Sequence, residues 1–262
     1  INGAEAVVTG AAGGLGGEIA RALHACGARL ILTDRREEPL KSLASELKGA
    51  EIVVCDLADS GQVGELTTRL ANTDIVVANA ALPATGKLDD FTPAELNRAL
   101  DVNLRVPMLM TQQLLPGMQR RGRGHFVYIS SIAGKVPSPR VPIYSATKAG
   151  LRGFCGSLRQ DLYGSGGSAS VVFPGTMMDA GMIADARLPT SPGTKGTSCG
   201  FVAHHVIAAI EKNLGEVNAA ELPVRILARF SGVAPELAAR LSRRKESFAW
   251  GDQVTDGLRH LR

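Results

Sequence analysis

With 262 residues the chain can bury most of the surface its unfolded form exposes, so it needs no disulfide or metal staple. Hydrophobic residues at 45% and charged residues at 21% exclude a disordered or fibrous chain and fit a globular one. The net charge of +4 is scattered, and aromatics at 4% are too few for a platform that stacks single-stranded bases, so nucleic acid is not an expected partner.

Apolar runs alternate with helix-period stretches from the start. A strand is predicted over 4–9, then a helix over 15–26 with Ile19, Ala22, Leu23 and Cys26 on one face. Strands follow over 29–33, 52–55 and 74–78, with helices over 40–47 and 63–71 between them. A long helical region covers 93–121, which Pro107 and Pro116 should kink or divide. A fifth strand over 124–129, a helix over 143–163, a sixth strand over 169–173, a helix over 201–212 and a last strand over 216–220 complete the pattern. The strands are continuous apolar runs, which marks a parallel sheet buried on both faces. Regular βαβ alternation then predicts an α/β, doubly wound sheet of about seven strands, with helices on both faces, in one domain spanning 1–262. The segment 177–200, rich in Ala, Gly, Pro and Thr, should overhang the carboxyl edge of the sheet as a substrate loop. Beyond 220 lies a variable extension, in which 235–244 reads as an amphipathic helix with Leu237, Ala238 and Leu241 on its apolar face. This helix would cover the substrate entrance or join subunits. The cluster of Arg240, Arg243, Arg244 and Lys245 reads as a solvated helix face, with a nucleic-acid or membrane patch as the alternative.

Cys26, Cys55, Cys155 and Cys199 are too far apart for CxxC pairing and read as free thiols in a reducing, cytoplasmic setting. His204 and His205 are adjacent and face different sides of a helix, so no metal site is expected, and His125 reads as structural. No apolar run approaches the length of a membrane span, and no signal peptide pattern is visible.

The first strand runs into Thr9-Gly10-Ala11-Ala12-Gly13-Gly14-Leu15-Gly16-Gly17. Glycines in that place allow a sharp turn and a close backbone approach to a pyrophosphate at a helix N-terminus. Asp34 ends the second strand 20 residues past Gly14, where a carboxylate can accept hydrogen bonds from the adenosine ribose. A carboxylate there repels a 2′-phosphate, so NAD is the expected cofactor. Arg35 and Arg36 follow at once and could pair with such a phosphate, which keeps NADP as an alternative. Asp34 could also simply cap the next helix.

Tyr144-Ser145-Ala146-Thr147-Lys148 places a phenol and an ammonium four residues apart on one helix face. The ammonium should favour the phenolate and bring the tyrosine toward the range of a working acid/base. Ser131 stands 13 residues earlier, just past the fifth strand. With these residues in this order the chain resembles the short-chain dehydrogenase/reductase family.

The resemblance implies a nicotinamide-dependent oxidoreductase that interconverts a secondary alcohol and a ketone. It implies Asn103, Ser131, Tyr144 and Lys148 as catalytic residues: Tyr144 exchanges the proton, Lys148 lowers its pKa and holds the nicotinamide ribose, Ser131 holds the substrate oxygen, and Asn103 holds a relay water. It implies cofactor contacts at the turn residues Gly10, Ala12, Gly13, Gly14, Leu15 and Gly16. Further contacts are implied at Asp34, Arg35, Asp56, Leu57, Asn79, Ala80, Ala81, Pro174, Gly175, Thr176 and Met177, besides Tyr144 and Lys148. Two positions depart from the pattern: Ala81 replaces a glycine, and Asp179 stands where relatives often carry a threonine that contacts the carboxamide. Dimers or tetramers built on the 93–121 and 143–163 regions are implied as well. Met177, Met178, Met182 and Ile183, with Val136, Pro137, Pro139 and Val141, would make an apolar substrate pocket or pack the loop against the sheet. An NADP-preferring 3-oxoacyl reductase is an alternative enzyme, and a nucleotide-binding scaffold without turnover is a non-enzymatic one.

Overall fold

A computed structural model describes residues 1–185, 188 and 193–261. Its elements are β1 (Glu5–Thr9), α1 (Gly14–Ala25), β2 (Arg29–Asp34), α2 (Glu37–Glu46), β3 (Glu51–Val54), α3 (Ser60–Arg69), β4 (Ile75–Ala78), α4 (Pro93–Leu100) and α5 (Val106–Arg121). They continue with β5 (Gly124–Ile129), α6 (Pro142–Asp161), β6 (Gly167–Pro174), α7 (Met182–Asp185), α8 (Cys199–Glu211), β7 (Glu216–Ala219), α9 (Leu222–Val233), α10 (Pro235–Ser242) and α11 (Lys245–Leu258).

The strands form one parallel sheet in the order β3-β2-β1-β4-β5-β6-β7. Two cores explain the continuous apolar runs. Ala6, Val8, Leu30, Leu32, Ile75 and Val77 pack under α1 and α8. Their chain neighbours Val7, Ile31 and Val76 point the other way, under α5 and α6. Successive strand residues alternate faces, so a strand covered on both sides must be apolar at every step. Each fully buried aliphatic side chain stabilises the fold by about 2 kcal/mol.

The chain winds outward from β1 to β3, then returns to place β4 beside β1. That reversal opens a crevice at the carboxyl ends of β1 and β4, the usual ligand position in such sheets. His125, at the start of β5 and so at the opposite edge, is structural. Its Nδ1 lies 2.6 Å from the Ser168 hydroxyl and its Nε2 2.8 Å from that of Ser170, and burial lowers its pKa to about 4.

The structure departs from the sequence expectation in two places. The 93–121 helix does not break at Pro116, which is carried within α5; it divides at a π-helical turn, Asp101–Arg105, that ends two residues before Pro107, the second residue of α5. Past β7 the described residues form three α-helices rather than one, since α9 and α11 flank the expected α10. Part of the 177–200 segment is described: α7, and a bridge between Met177 and Thr197. Residues 186, 187 and 189–192 of that segment lie outside the described residues.

Candidate active site

The turn after β1 requires its glycines. Gly10 has a φ of +66°, and a β carbon there would lie 2.9 Å from the Ala80 Cα. A β carbon on Gly16 would lie 2.2 Å from the Gly10 carbonyl oxygen, so the first turn of α1 closes directly on the loop. Across the switch point, the Asn79 amide donates to the carbonyl oxygens of Thr9 at 2.9 Å and Gly10 at 3.3 Å. The Thr9 hydroxyl accepts from the N–H groups of Asn79 and Ala80, both at 3.0 Å. These bonds hold the two strand ends at a fixed separation.

Asp34 sits at the tip of β2. Its Oδ1 accepts from the Arg36 backbone N–H at 3.0 Å and from Arg36 Nε at 3.2 Å. Asp34 does not cap α2, whose N-cap residue is Arg36. The Asp56 carboxylate accepts from Ala58 N–H at 2.9 Å.

Ser131, Tyr144 and Lys148 converge at the ends of β5 and α6. Pro142 opens α6 with its preset φ, and Tyr144 and Lys148 fall one turn apart near that end. The Ser131 hydroxyl lies close enough to the Tyr144 phenol to lower its pKa, and its own oxygen accepts from Ala133 N–H at 3.1 Å. Lys148 is 2% exposed, its Nζ donates to the Ile129 carbonyl at 2.8 Å, and it lies 5.5 Å from the Tyr144 ring centre. Burial lowers the Lys148 pKa to about 8. Burial also raises the Tyr144 phenol above its usual 10, against the smaller opposing effect of the Ser131 hydrogen bond. This reverses the expected direction for Tyr144. Loss of water around the hydroxyl is the leading cause, and the Lys148 ammonium is turned to the Ile129 carbonyl.

Asn103 lies in the π-helical turn and is fully buried. Its Oδ1 accepts from Leu82 N–H at 2.7 Å and its Nδ2 donates to the Leu82 carbonyl at 3.0 Å. Its side chain is thus spent on the loop after β4.

Two cavities meet here. A crevice of about 370 Å³ runs from Gly10, Gly13, Gly14, Leu15 and Gly16 past Asp34, Arg35, Asp56 and Leu57. It continues past Asn79, Ala80 and Ala81 to Tyr144, Lys148, Pro174, Gly175 and Met177. Of the expected cofactor contacts only Ala12 and Thr176 are not part of its lining. Thr176 faces the second cavity, of about 810 Å³, and its carbonyl accepts from Thr197 N–H at 2.8 Å. Ser131 and Tyr144 line both cavities. Met177, Met182, Ile183, Val136, Pro139 and Val141 line the larger one, whereas Met178 and Pro137 do not. Asp179 turns away to accept from Cys199 N–H at the start of α8, at 2.9 and 3.0 Å. Its presence in that position serves a helix N-terminus.

The narrow crevice suits a dinucleotide. Its glycine cradle is one that β carbons would fill, and the buried Thr33 hydroxyl on its wall has no protein partner. Among the described residues, no group of three or more His, Cys, Asp or Glu side chains gathers as a metal site.

A family profile described as short chain dehydrogenase matches residues 4–189. The chain belongs to the short-chain dehydrogenase family. Membership makes it an oxidoreductase of CH–OH groups built on a nucleotide-binding Rossmann-type fold. Among its relatives, dehydrogenase/reductase SDR family member 7B of Bos taurus is 32% identical, over 92% of this chain and 81% of that protein. Ketoacyl reductase HetN of Nostoc sp. is 32% identical over 86% and 81%. A metagenomic short-chain oxidoreductase solved in complex with NADP superposes with a TM-score of 0.71. It is 31% identical, over 83% of this chain and 97% of that one. No helix among the described residues is long and apolar enough to cross a membrane.

Some residues at this short-chain dehydrogenase site escaped the sequence reading. Ser130 donates its hydroxyl to the Lys148 carbonyl at 2.7 Å, and Gly134 packs on the same backbone. Both lie in the Ser130–Gly134 run beside Ser131, and that adjacency was the available signal. Arg98 also lines the crevice, as do Arg36 and Met182, which the sequence already offers as a phosphate partner and a pocket residue. The C-terminal extension supplies Leu227, Leu241, Trp250, Val254 and Leu258 to the wall of the large cavity. α11 is held there by an ion pair between Asp252 and Arg140.

Proposed function

We propose that this chain interconverts an apolar secondary alcohol and its ketone, with NAD(H) in the crevice and the substrate in the large cavity. The observation that carries this reading is that Ser131 and Tyr144 line both cavities, so one hydroxyl pair faces both molecules.

When bound, the nicotinamide supplies or accepts hydride at the substrate carbon. The protein's residues manage the oxygen and its proton. Ser131 holds the substrate oxygen beside Tyr144. A phenol kept protonated by burial is the acid that carbonyl reduction needs, and in the reverse direction the phenolate takes the alcohol proton. Lys148 is positioned by Ile129 to hold the nicotinamide ribose and to stabilise the phenolate. The Asn103 side chain is occupied by Leu82, so its backbone is what remains to hold a relay water behind Lys148. The largely aliphatic wall made by Met177, Ile183, Leu227 and Val254 favours an apolar group on the ketone.

Asp34 at the tip of β2 supports NAD through the adenosine ribose. One observation favours a second reading, an NADP-dependent 3-oxoacyl-type reductase. The Arg36 guanidinium lies between Asp34 and the glycine turn, 4.0 Å from where a Gly13 β carbon would be, and could meet a 2′-phosphate. Ketoacyl reductase HetN and the NADP-bound oxidoreductase give this reading further weight.

Oxidation of NADH and of NADPH, followed by absorbance across aliphatic ketones, sugars and 3-oxoacyl thioesters, tests both. NADH turnover with aliphatic ketones is expected. NADPH turnover confined to 3-oxoacyl thioesters would favour the second reading, and preference for sugars would overturn both.

A further inference from the structure

The end of the chain carries a surface that the proposed chemistry does not use. Three large aliphatic side chains of α9 stand in water: Leu222 is 66% exposed, Ile226 59% and Val233 85%. With Arg229 they recur at spacings of three and four residues, which aligns all four in one stripe. On α10, which packs against α9, Leu237 and Leu241 are also exposed, with Arg240 between them and Arg244 just past the helix, at the N-cap of α11.

The charge around these side chains is one-sided. Between residues 222 and 245 there are six cations, Arg225, Arg229, Arg240, Arg243, Arg244 and Lys245, and one carboxylate, Glu236. None of the six forms an ion pair among the described residues. Unpaired cations flanking unpartnered aliphatic side chains are the composition of a helix that lies at the level of lipid headgroups. A second copy fits poorly. A two-fold contact through this face would press six cations against the same six.

We propose that the α9–α10 face docks on an anionic phospholipid surface. Leu222, Ile226 and Val233 enter the boundary of the acyl layer. The arginines lay their stems along that boundary and reach the headgroup phosphates. Leu241 is exposed on α10 and also lines the large cavity, as does Arg244. The cavity therefore borders the docked surface. On the functional reading above, an apolar ketone held in the bilayer would reach Ser131 and Tyr144 without crossing water.

The test is sedimentation of the full chain with phosphatidylcholine vesicles and with vesicles containing about a third phosphatidylserine, at low and high salt. Binding is expected to the anionic vesicles and to weaken with salt. Ile226→Asp with Val233→Asp should abolish it. Arg240→Glu with Arg243→Glu should weaken it about tenfold or more. Retained NADH or NADPH binding shows that both double variants are folded. Failure of the wild-type chain to sediment with either vesicle would overturn the proposal, as would sedimentation that neither double variant changes. So would a dimer that the Ile226 and Val233 changes dissociate, or capture of an acidic carrier protein in place of vesicles. Docking is read without substrate or turnover, so its failure is distinct from failure of the proposed reaction.

Discussion

A β carbon on Gly134 would lie 2.8 Å from the Lys148 carbonyl carbon and 2.9 Å from its oxygen. The loop that carries Ser131 therefore rests directly on the backbone of the helix that carries Tyr144 and Lys148. Gly134→Ala must push the two apart, at a cost of about 1–3 kcal/mol in stability. It should also lower kcat more than it weakens cofactor binding, because it separates Ser131 from Tyr144. Ser130→Ala removes one hydrogen bond to the same carbonyl and should cost about 1 kcal/mol. Thermal unfolding and steady-state kinetics of the two variants check both figures. A fully active, fully stable Gly134→Ala enzyme would show that this contact does not set the geometry.

Cofactor choice should turn on Asp34 and Arg36. Asp34→Ala removes the carboxylate that holds Arg36 and would oppose a 2′-phosphate. The ratio of NADH to NADPH affinity should fall about tenfold, in line with the loss of one charged hydrogen bond. Arg36→Ala should move the ratio the other way. Fluorescence titration with both cofactors reads the two shifts directly. An unchanged ratio in both variants would remove this pair from the specificity argument.

The pKa of Lys148, lowered to about 8, predicts a pH dependence. Below that value the folded chain holds an ammonium that can donate to the nicotinamide ribose, and above it a weaker neutral donor. Affinity of the free enzyme for cofactor should therefore fall as pH rises through about 8. Lys148→Met should flatten the profile. Stability should move the other way. The unfolded chain keeps this proton up to about 10.5, so between about 8 and 10.5 it binds more protons than the folded chain, and stability rises with pH. Tyr144, raised rather than lowered, adds no transition at neutral pH. A loss of cofactor affinity centred near pH 6 would contradict this assignment.

Trp250 lines the large cavity from α11. Trp250→Ala should enlarge the cavity and raise kcat/KM for bulky ketones relative to small ones. Competition between a small and a bulky ketone measures the ratio. No change would place the substrate elsewhere.

Much of this site was legible because its signals are local. The i, i+4 relation of Tyr144 to Lys148 needs only a helix. The glycines after β1 need only a strand that turns sharply into one. What was not legible depends on contacts distant in sequence. Whether burial or the Lys148 charge governs the Tyr144 phenol is decided by packing around the pair and by the Ile129 carbonyl. The destination of the Asn103 amide depends on a π-helical turn and on Leu82, 21 residues earlier. The break in the 93–121 region follows that same turn, which hydrophobic periodicity does not mark. Nothing local set α9 and α11 apart from a variable tail: each, like the α10 that was read, keeps large side chains exposed. Their place over the cavity also depends on long-range ties such as Arg140 to Asp252.

On the proposed mechanism the Tyr144 hydroxyl, which lines both cavities, moves the substrate proton. Single-turnover loss of reduced cofactor absorbance in Tyr144→Phe, with cofactor affinity measured in parallel, tests this most directly. Turnover should fall about a thousandfold or more, the scale of lost acid/base catalysis, while affinity stays near that of the wild-type chain. A phenylalanine variant that consumes cofactor at the wild-type rate would contradict the mechanism.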